Sequence, residues 1–489
     1  MKRTILVLFC FMMVLPLFAT GGRQSAAASA PTELIWYIGG SGPQVDTPVV
    51  LAEANRYLAE KLNVSLRFVE NDFGSYDQRM QLVIASQETY DLCYTASWIN
   101  NFWLNVSRNA FLPLDDLLNQ YAQQLKAEMP PAGWDAAKVS GRIYAVPNQQ
   151  IWPYQNTVFI EKAYLDRYNI NPTTITNNLS SIDSLLALIK RDNPNMFPVN
   201  GTSDGRPFTQ FVYYIGVDPL VGNLQPAVIQ LNDSSLRVVN MYELPETLNS
   251  LRMIRDWNQK GYIRPDANTV ANDAPDRAAG RIPVYFSGNY SPYGNATASA
   301  SLGREVVLVP YSGSWLNTSG IAATMTAVSR TSRAPDKAVQ FLNLVNTDKY
   351  LFNLLAKGIE GRHYTRIDAN YIRFVPNSGY FPDIDWELGS QFLAYYVEGQ
   401  GLNDWEDSKR YNANARPSPA LGFSFDSTPV ATEMASVTSV VNEYMGSLGT
   451  GVVDPDRVMP EFLQRLRNAG NQRIMDELQR QLDAWKARQ

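Results

Sequence analysis

Leu34-Ile-Trp-Tyr-Ile38, followed by Gly39-Gly40-Ser41-Gly42-Pro43, decides the fold. A run of five apolar and aromatic residues is too short for a buried helix and suits a strand covered on both faces. The glycine-rich segment that stops it suits a loop. Working outward, Thr47–Leu62 places Leu51, Ala54, Leu58 and Leu62 on one helical face. Val64–Val69 alternates as a second strand, Gln78–Ser86 has helical spacing and Asp91–Thr95 suits a third strand. Strand, helix, strand, helix, strand at this spacing predicts parallel pairing in an α/β layered fold. Ligands of such sheets sit beyond the carboxyl ends of the strands. The Gly39–Pro43 and Thr95–Asn101 loops therefore mark the candidate site.

Farther along, Gly141-Arg-Ile-Tyr-Ala-Val-Pro147 is expected to be a glycine turn entering a strand, and Asn156–Ile160 another strand. Helices are predicted over Glu161–Tyr168, Thr176–Arg191, Glu246–Lys260 (ended by Gly261), Pro335–Val345 and Lys349–Lys357. Ile282–Phe286 is expected to be a strand stopped by Ser287-Gly288-Asn289. A packed terminal helix is expected over Pro460–Trp485, interrupted by Gly470.

The first residues have the pattern of an export signal. Lys2 and Arg3 precede an apolar run from Ile5 to Phe18, with small residues at Ala19 and Gly21. Ser25–Pro31 has the composition of a flexible tether. Gly22, not cysteine, follows the small residues, so an exported, diffusible protein is expected rather than a lipid-anchored one. No later stretch is continuously apolar over the roughly 18 residues that a membrane span needs. Of 2 cysteines, Cys10 lies in the signal and Cys93 remains alone, so no intrachain disulfide is expected. The net charge of −5 and the scatter of Lys and Arg argue against nucleic acid and anionic membrane as partners. The 10 Trp, 26 Tyr and 20 Phe, set against 18% charged residues, suit a cleft that stacks on neutral ligands.

Catalytic signals are sparse. His363 is the one histidine, and no G-x-S-x-G elbow accompanies it. No cofactor or metal is expected: the phosphate-loop and dinucleotide patterns are missing, and His363 and Cys93 cannot build a zinc site. A glycosidase needs only two carboxylates. Asp383-Ile-Asp385-Trp-Glu387 and Asp404-Trp-Glu406-Asp407 offer them, so hydrolysis involving Asp383 or Glu406 stays as the enzymatic alternative. Asp454-Pro-Asp456 lacks the spacing of a calcium loop and suits a turn before a helix.

Asp91-Leu-Cys-Tyr-Thr-Ala-Ser-Trp98, Phe111-Leu-Pro-Leu-Asp-Asp-Leu-Leu118 and Gly141–Pro147 resemble the extracellular solute-binding proteins of sugar ABC importers. Gly358-Ile-Glu-Gly-Arg-His-Tyr364, Ser418-Pro-Ala-Leu-Gly-Phe-Ser-Phe-Asp426 and Glu477-Leu-Gln-Arg-Gln481 are similar to a lipoprotein subfamily with a distinct C-terminal domain. The resemblance implies a two-lobed type II periplasmic binding protein, not an enzyme, acting as a monomer with a membrane permease and a sugar ligand. A peptide cargo, with Arg362 and Asp385 taking its termini, and a receptor-coupled sensor are the alternatives. Residues 1–30 would be signal and tether. The N-lobe would comprise 31–148 plus 292–345, and the C-lobe 149–291 plus 346–489. Crossings are expected after Pro147, near Tyr290 and in the helix around Leu344. Carried over residue by residue, the resemblance places Trp98 as an aromatic platform, with Ser97 and Asn100 as hydrogen-bonding neighbours and Gly40 and Ser41 in a ligand loop. Trp152, Tyr154, Asn289, Tyr290, Trp315 and Asn317 would flank the cleft. Glu360, Arg362 and His363 would be either ligand contacts or a structural ion-pair loop.

Overall fold

The structure is a computed structural model that describes residues 30–488, apart from 177 and 223. The expected export signal, and the tether as far as Ser29, lie outside the described residues.

Strand β1 (Thr32–Ile38) is largely buried from Leu34 onward, where its residues are aliphatic or aromatic, and exposed at Glu33. It pairs in parallel with β2 (Val64–Glu70) and with β3 (Leu92–Thr95). Helix α1 (Thr47–Leu62) buries Val50, Ala54 and Leu58 at four-residue spacing and ends at Asn63, whose φ of 52° terminates the turn. Helix α2 (Phe73–Ala85) begins earlier than Gln78, because the Asp72 carboxylate accepts the Ser75 N–H at 3.1 Å and caps it. The sheet continues with Met325–Val328 and Ala145–Pro147, giving five strands in which Met325–Val328 runs antiparallel to both neighbours. Trp36 anchors this core, edge-on to Phe68 and Phe341.

A second core surrounds a three-stranded antiparallel sheet in which Asn156–Glu161 lies between Val284–Asn289 and Val306–Pro310. Trp257 stacks on Phe286 at 5.8 Å within it. The last three helices, Ala431–Gly449, Pro455–Asn468 and Asn471–Lys486, close over this second core. Gly470, at φ 95°, separates the last two. Asp454 caps its helix and Asp456 pairs with Arg252, so that acidic turn serves a helix start.

The chain's path between the cores differs from the expected boundaries. Residues 294–311 belong with the second core rather than the first, because Val306–Pro310 pairs with Asn156–Glu161. Residues 346–415 belong with the first, where Leu351, Phe352, Leu388 and Trp405 are buried. Tyr290, expected at the second crossing, stays beside the second sheet, its N–H donating to the Gln155 carbonyl at 3.0 Å. The second crossing is Trp315–Leu316 instead. The helix Pro335–Thr347, expected to contain the third crossing, is packed in the first core through Phe341, Leu342 and Val345. A helix buried along its length cannot bend between lobes without opening its core. The third crossing is Arg416–Pro417, which pairs in parallel with the second. Trp315 in turn bridges to Tyr154 on the first, with both N–H···O bonds made, at 2.8 and 2.9 Å. Three crossings lie side by side as a narrow hydrogen-bonded ribbon.

Candidate functional site: the cleft at the ribbon

The first lobe presents the carboxyl ends of β1 and β3 beside the ribbon. Gly39 lies against Phe73, where an added Cβ would fall 2.5 Å from Cε1 of the ring. The Gly39 N–H donates to the Glu387 carboxylate at 2.8 Å, and burial pushes that carboxyl well above its usual range. The glycine loop and Phe73 thereby hold each other in place. Phe73 stacks on Trp386 at 5.7 Å and meets Trp98 at the same separation. Trp98 is 55% exposed, yet its indole N–H donates to the Ala323 carbonyl at 2.9 Å. The Tyr94 hydroxyl donates to that same carbonyl at 3.0 Å. An indole pinned through its N–H and left 55% exposed is pre-organised for stacking, since little rotamer freedom is left to lose on binding.

On the ribbon side, Tyr154 stacks on Tyr213 with centroids 4.9 Å apart and rings within 10° of parallel. Ser97 donates to the Ser319 carbonyl at 3.1 Å, drawing the β3 loop against the residues that follow the second crossing. Beneath lies a buried polar knot. The Asn317 amide donates to the Tyr213 hydroxyl and to Asp218, each at 2.9 Å, and the Ser418 hydroxyl donates to the other Asp218 oxygen. Asn317 follows the second crossing and Ser418 the third, so Asp218 ties two crossings to the second lobe. Burial pushes its carboxyl up despite these donors. The Arg416 guanidinium lies 4.3 Å over the Trp315 ring and covers the ribbon.

Residues 419–487 match the family model "Domain of unknown function (DUF3502)". That segment begins just past the third crossing and contains the three closing helices. Over 473 residues the chain is 27% identical to a protein of Streptococcus pneumoniae serotype 4 named "Carbohydrate ABC transporter substrate-binding protein", covering 95% of this chain and 94% of that one. The crystal structure of the N-glycan transport solute binding protein (NgtS) of S. pneumoniae superposes with a TM-score of 0.83 at 25% identity, covering 93% of this chain and 98% of that one. The same protein in complex with Man5GlcNAc gives 0.72 at 26% identity, with the same coverage. The chain has the two-lobed fold of these solute-binding proteins.

Of the residues expected at the cleft, Trp98, Ser97, Gly40, Ser41 and Tyr154 are gathered around the platform and the ribbon. Others carry the frame. Asn100 is buried, its side chain donating to the Tyr94 carbonyl at 2.7 Å. Trp152 is buried and donates to the Asn148 carbonyl at 2.9 Å. Trp315 and Asn317 are buried in the ribbon and the knot. Asn289 pairs with Asn156 at the end of its strand, and Tyr290 lies edge-on to Tyr411, 5.6 Å away. The motif Glu360, Arg362 and His363 is an ion-pair loop. Arg362 and the fully buried His363 both meet Asp46, and Glu360 meets Arg366. His363 Nδ1 accepts the Ile359 N–H at 2.8 Å, which leaves Nε2–H to donate to Asp46 at 3.0 Å.

Most carboxylates of the acidic stretches are engaged, and partial desolvation pushes the Asp383 carboxyl up. Glu406 pairs with Lys409, Asp407 with Arg410 and Asp385 with the buried Lys357, while Glu387 holds Gly39. Cys93 is buried, and burial pushes its thiol up to about 12. Among the described residues no group of three or more His, Cys, Asp or Glu is placed to hold a metal ion. Phe73 and Tyr213 join the cleft without a signal in the local pattern, whereas Trp386 stands in the acidic stretch Asp383–Glu387. A helix starting at Gln78 would leave Phe73 in a loop, and Trp386 approaches from a distant part of the chain.

Gly320 makes the ribbon's close packing testable. A Cβ there would lie 2.3 Å from the Trp152 carbonyl oxygen, a backbone atom that cannot swing aside. Gly320→Ala should destabilise the protein by about 1–3 kcal/mol, the usual cost of overpacking. A urea midpoint indistinguishable from that of the parent would contradict this packing.

Proposed function

We propose that this protein is the extracytoplasmic substrate-binding component of an ABC importer, and that its cargo is a neutral oligosaccharide captured between the lobes. The single observation that carries the cargo is Trp98. It is an indole fixed through its N–H and left 55% exposed beside Phe73 and Trp386, at the strand ends where the lobes meet. Sugar rings present apolar C–H faces to such platforms and hydroxyls to neutral polar rims. A peptide would instead need fixed charges for its termini. Arg362 and Asp385, the residues considered for that task, are committed to Asp46 and Lys357.

Capture would proceed by closure of the lobes about the ribbon. In support, the superposition is better on the NgtS structure described without a glycan (TM-score 0.83) than on its Man1GlcNAc (0.75) and Man5GlcNAc (0.72) complexes. The permease of the importer would read the closed form, so ligand acts by population shift rather than chemistry. No helix among the described residues is long and apolar enough to cross a membrane. The permease would be a separate chain. The protein is expected to work as a monomer.

Thermal unfolding and small-angle scattering with Man1GlcNAc, Man5GlcNAc and a set of short peptides test this. A glycan at 100 times Kd adds about 2.7 kcal/mol of apparent stability and should reduce the radius of gyration. Stabilisation by peptides and not by glycans would overturn the cargo, and an unchanged radius in the glycan-bound protein would overturn the closure.

A further inference from the structure

We infer that the first lobe carries an outer carbohydrate subsite, separate from the Trp98 platform, in a cavity of about 420 Å³ between the glycine loop and residues 374–381. The inference rests on the oligosaccharide reading of the cleft. The cavity is lined by Gln44, Val45, Phe374, Tyr380 and Phe381, among others, and its volume falls within the range of small-molecule sites. Val45 is 85% exposed and Phe381 52% exposed, while Phe374 meets Phe381 edge-on at 4.7 Å. Apolar side chains this open, set in a concavity with an amide at its edge, match a sugar's mixture of C–H faces and hydroxyls better than bulk water.

The walls are pinned. Asp46 donates its backbone N–H to the Gly379 carbonyl at 2.9 Å, and its carboxylate takes Arg362 and His363. Gln44 donates to Ser41 Oγ at 3.1 Å and accepts the Phe381 N–H at 3.4 Å. Through Asp46, Arg362 and His363 therefore help hold residues 374–381 against the segment that follows the glycine loop. A chain of contacts also joins the cavity to the cleft, with Ile384 buried beneath it. Trp98 leads to Phe73 and Trp386, Ile384 lies against Gly40, and Ser41 and Gln44 lead on to Phe381. A glycan seated on Trp98 can run along this path only if it is long enough, so the outer cavity would select for length.

Isothermal titration of the full mature chain with Man1GlcNAc and Man5GlcNAc tests the subsite, using Phe381→Ala and Val45→Ser. Both side chains are more than half exposed, so both variants should keep the parental melting temperature. Expected is a roughly tenfold loss of affinity for Man5GlcNAc in Phe381→Ala, a smaller loss in Val45→Ser, and less than about twofold change for Man1GlcNAc in either. Equal losses for the two glycans, or no loss for Man5GlcNAc, would overturn the subsite while leaving the cleft reading intact. A parent protein that binds neither glycan would overturn both.

Discussion

On the oligosaccharide reading proposed above, Trp98→Ala is expected to weaken glycan binding by about 30- to 150-fold, with the melting temperature nearly unchanged. Removing the indole takes away the one large exposed apolar face of the platform, a loss of about 2–3 kcal/mol at the usual area coefficient for a buried aromatic. A difference of about 1.4 kcal/mol is a factor of ten in Kd. Stability should hold because the ring is already 55% exposed in the free protein. Its removal opens no internal cavity, and the Ala323 carbonyl keeps the Tyr94 hydroxyl as donor. Titration calorimetry beside a thermal melt reads both quantities. A folded Trp98→Ala protein with parental affinity would remove the platform from the site.

Asp218→Ala should be the most damaging single change at the ribbon, costing about 3–5 kcal/mol by urea denaturation. The truncation strands one N–H of the Asn317 amide and the Ser418 hydroxyl in a place that water does not reach. Each unpaired buried donor costs about 1–3 kcal/mol, and the vacated space adds to that. Asp218→Asn, which keeps the shape and one acceptor oxygen, should cost less than about 1.5 kcal/mol, the upper end for one ordinary hydrogen bond.

The two variants also separate in pH. Burial raises the Asp218 pKa in the folded protein above the ordinary aspartate value of about 3.9. The folded state therefore binds this proton more tightly than the unfolded chain. The associated stability is complete below about pH 3.9 and is lost as pH rises through the folded pKa. Relative to Asp218→Asn, the parent should lose stability on raising the pH above about 4 and then level off. A flat difference from about pH 3.5 to about pH 8 would mean that Asp218 is not desolvated as its burial indicates.

The first lobe is readable because its signals are local. β1 through β3 follow from an apolar run, a helical face and a second alternation, all between Thr32 and Thr95, and the glycine loop lies at the strand ends as that pattern requires. The place of Trp98 at a strand end is legible for the same reason, since it stands just past β3. Helix 335–347 is legible as a helix but not as a member of the first core. Its apolar face says that it is buried, but not against which lobe. The motif Glu360–His363 announces charge and polarity, and only the approach of Asp46, which lies 317 positions from His363 in the chain, makes it an internal ion pair.

Composition and short-range periodicity by themselves determined the α/β class, the parallel start of the first sheet, the small catalytic repertoire and the aromatic character of the candidate site. Those properties depend on residues within one or two turns of each other, where a side chain's neighbours follow from chain geometry. Tertiary structure alone decided where the chain crosses between lobes, that the crossings form one ribbon, and which polar groups are consumed internally. Each of these depends on pairings such as Tyr154 with Trp315 and Asn317 with Asp218, the latter made across 99 positions of sequence. Such pairings are selected by the shape of the whole core, and nothing in the local pattern encodes the partner.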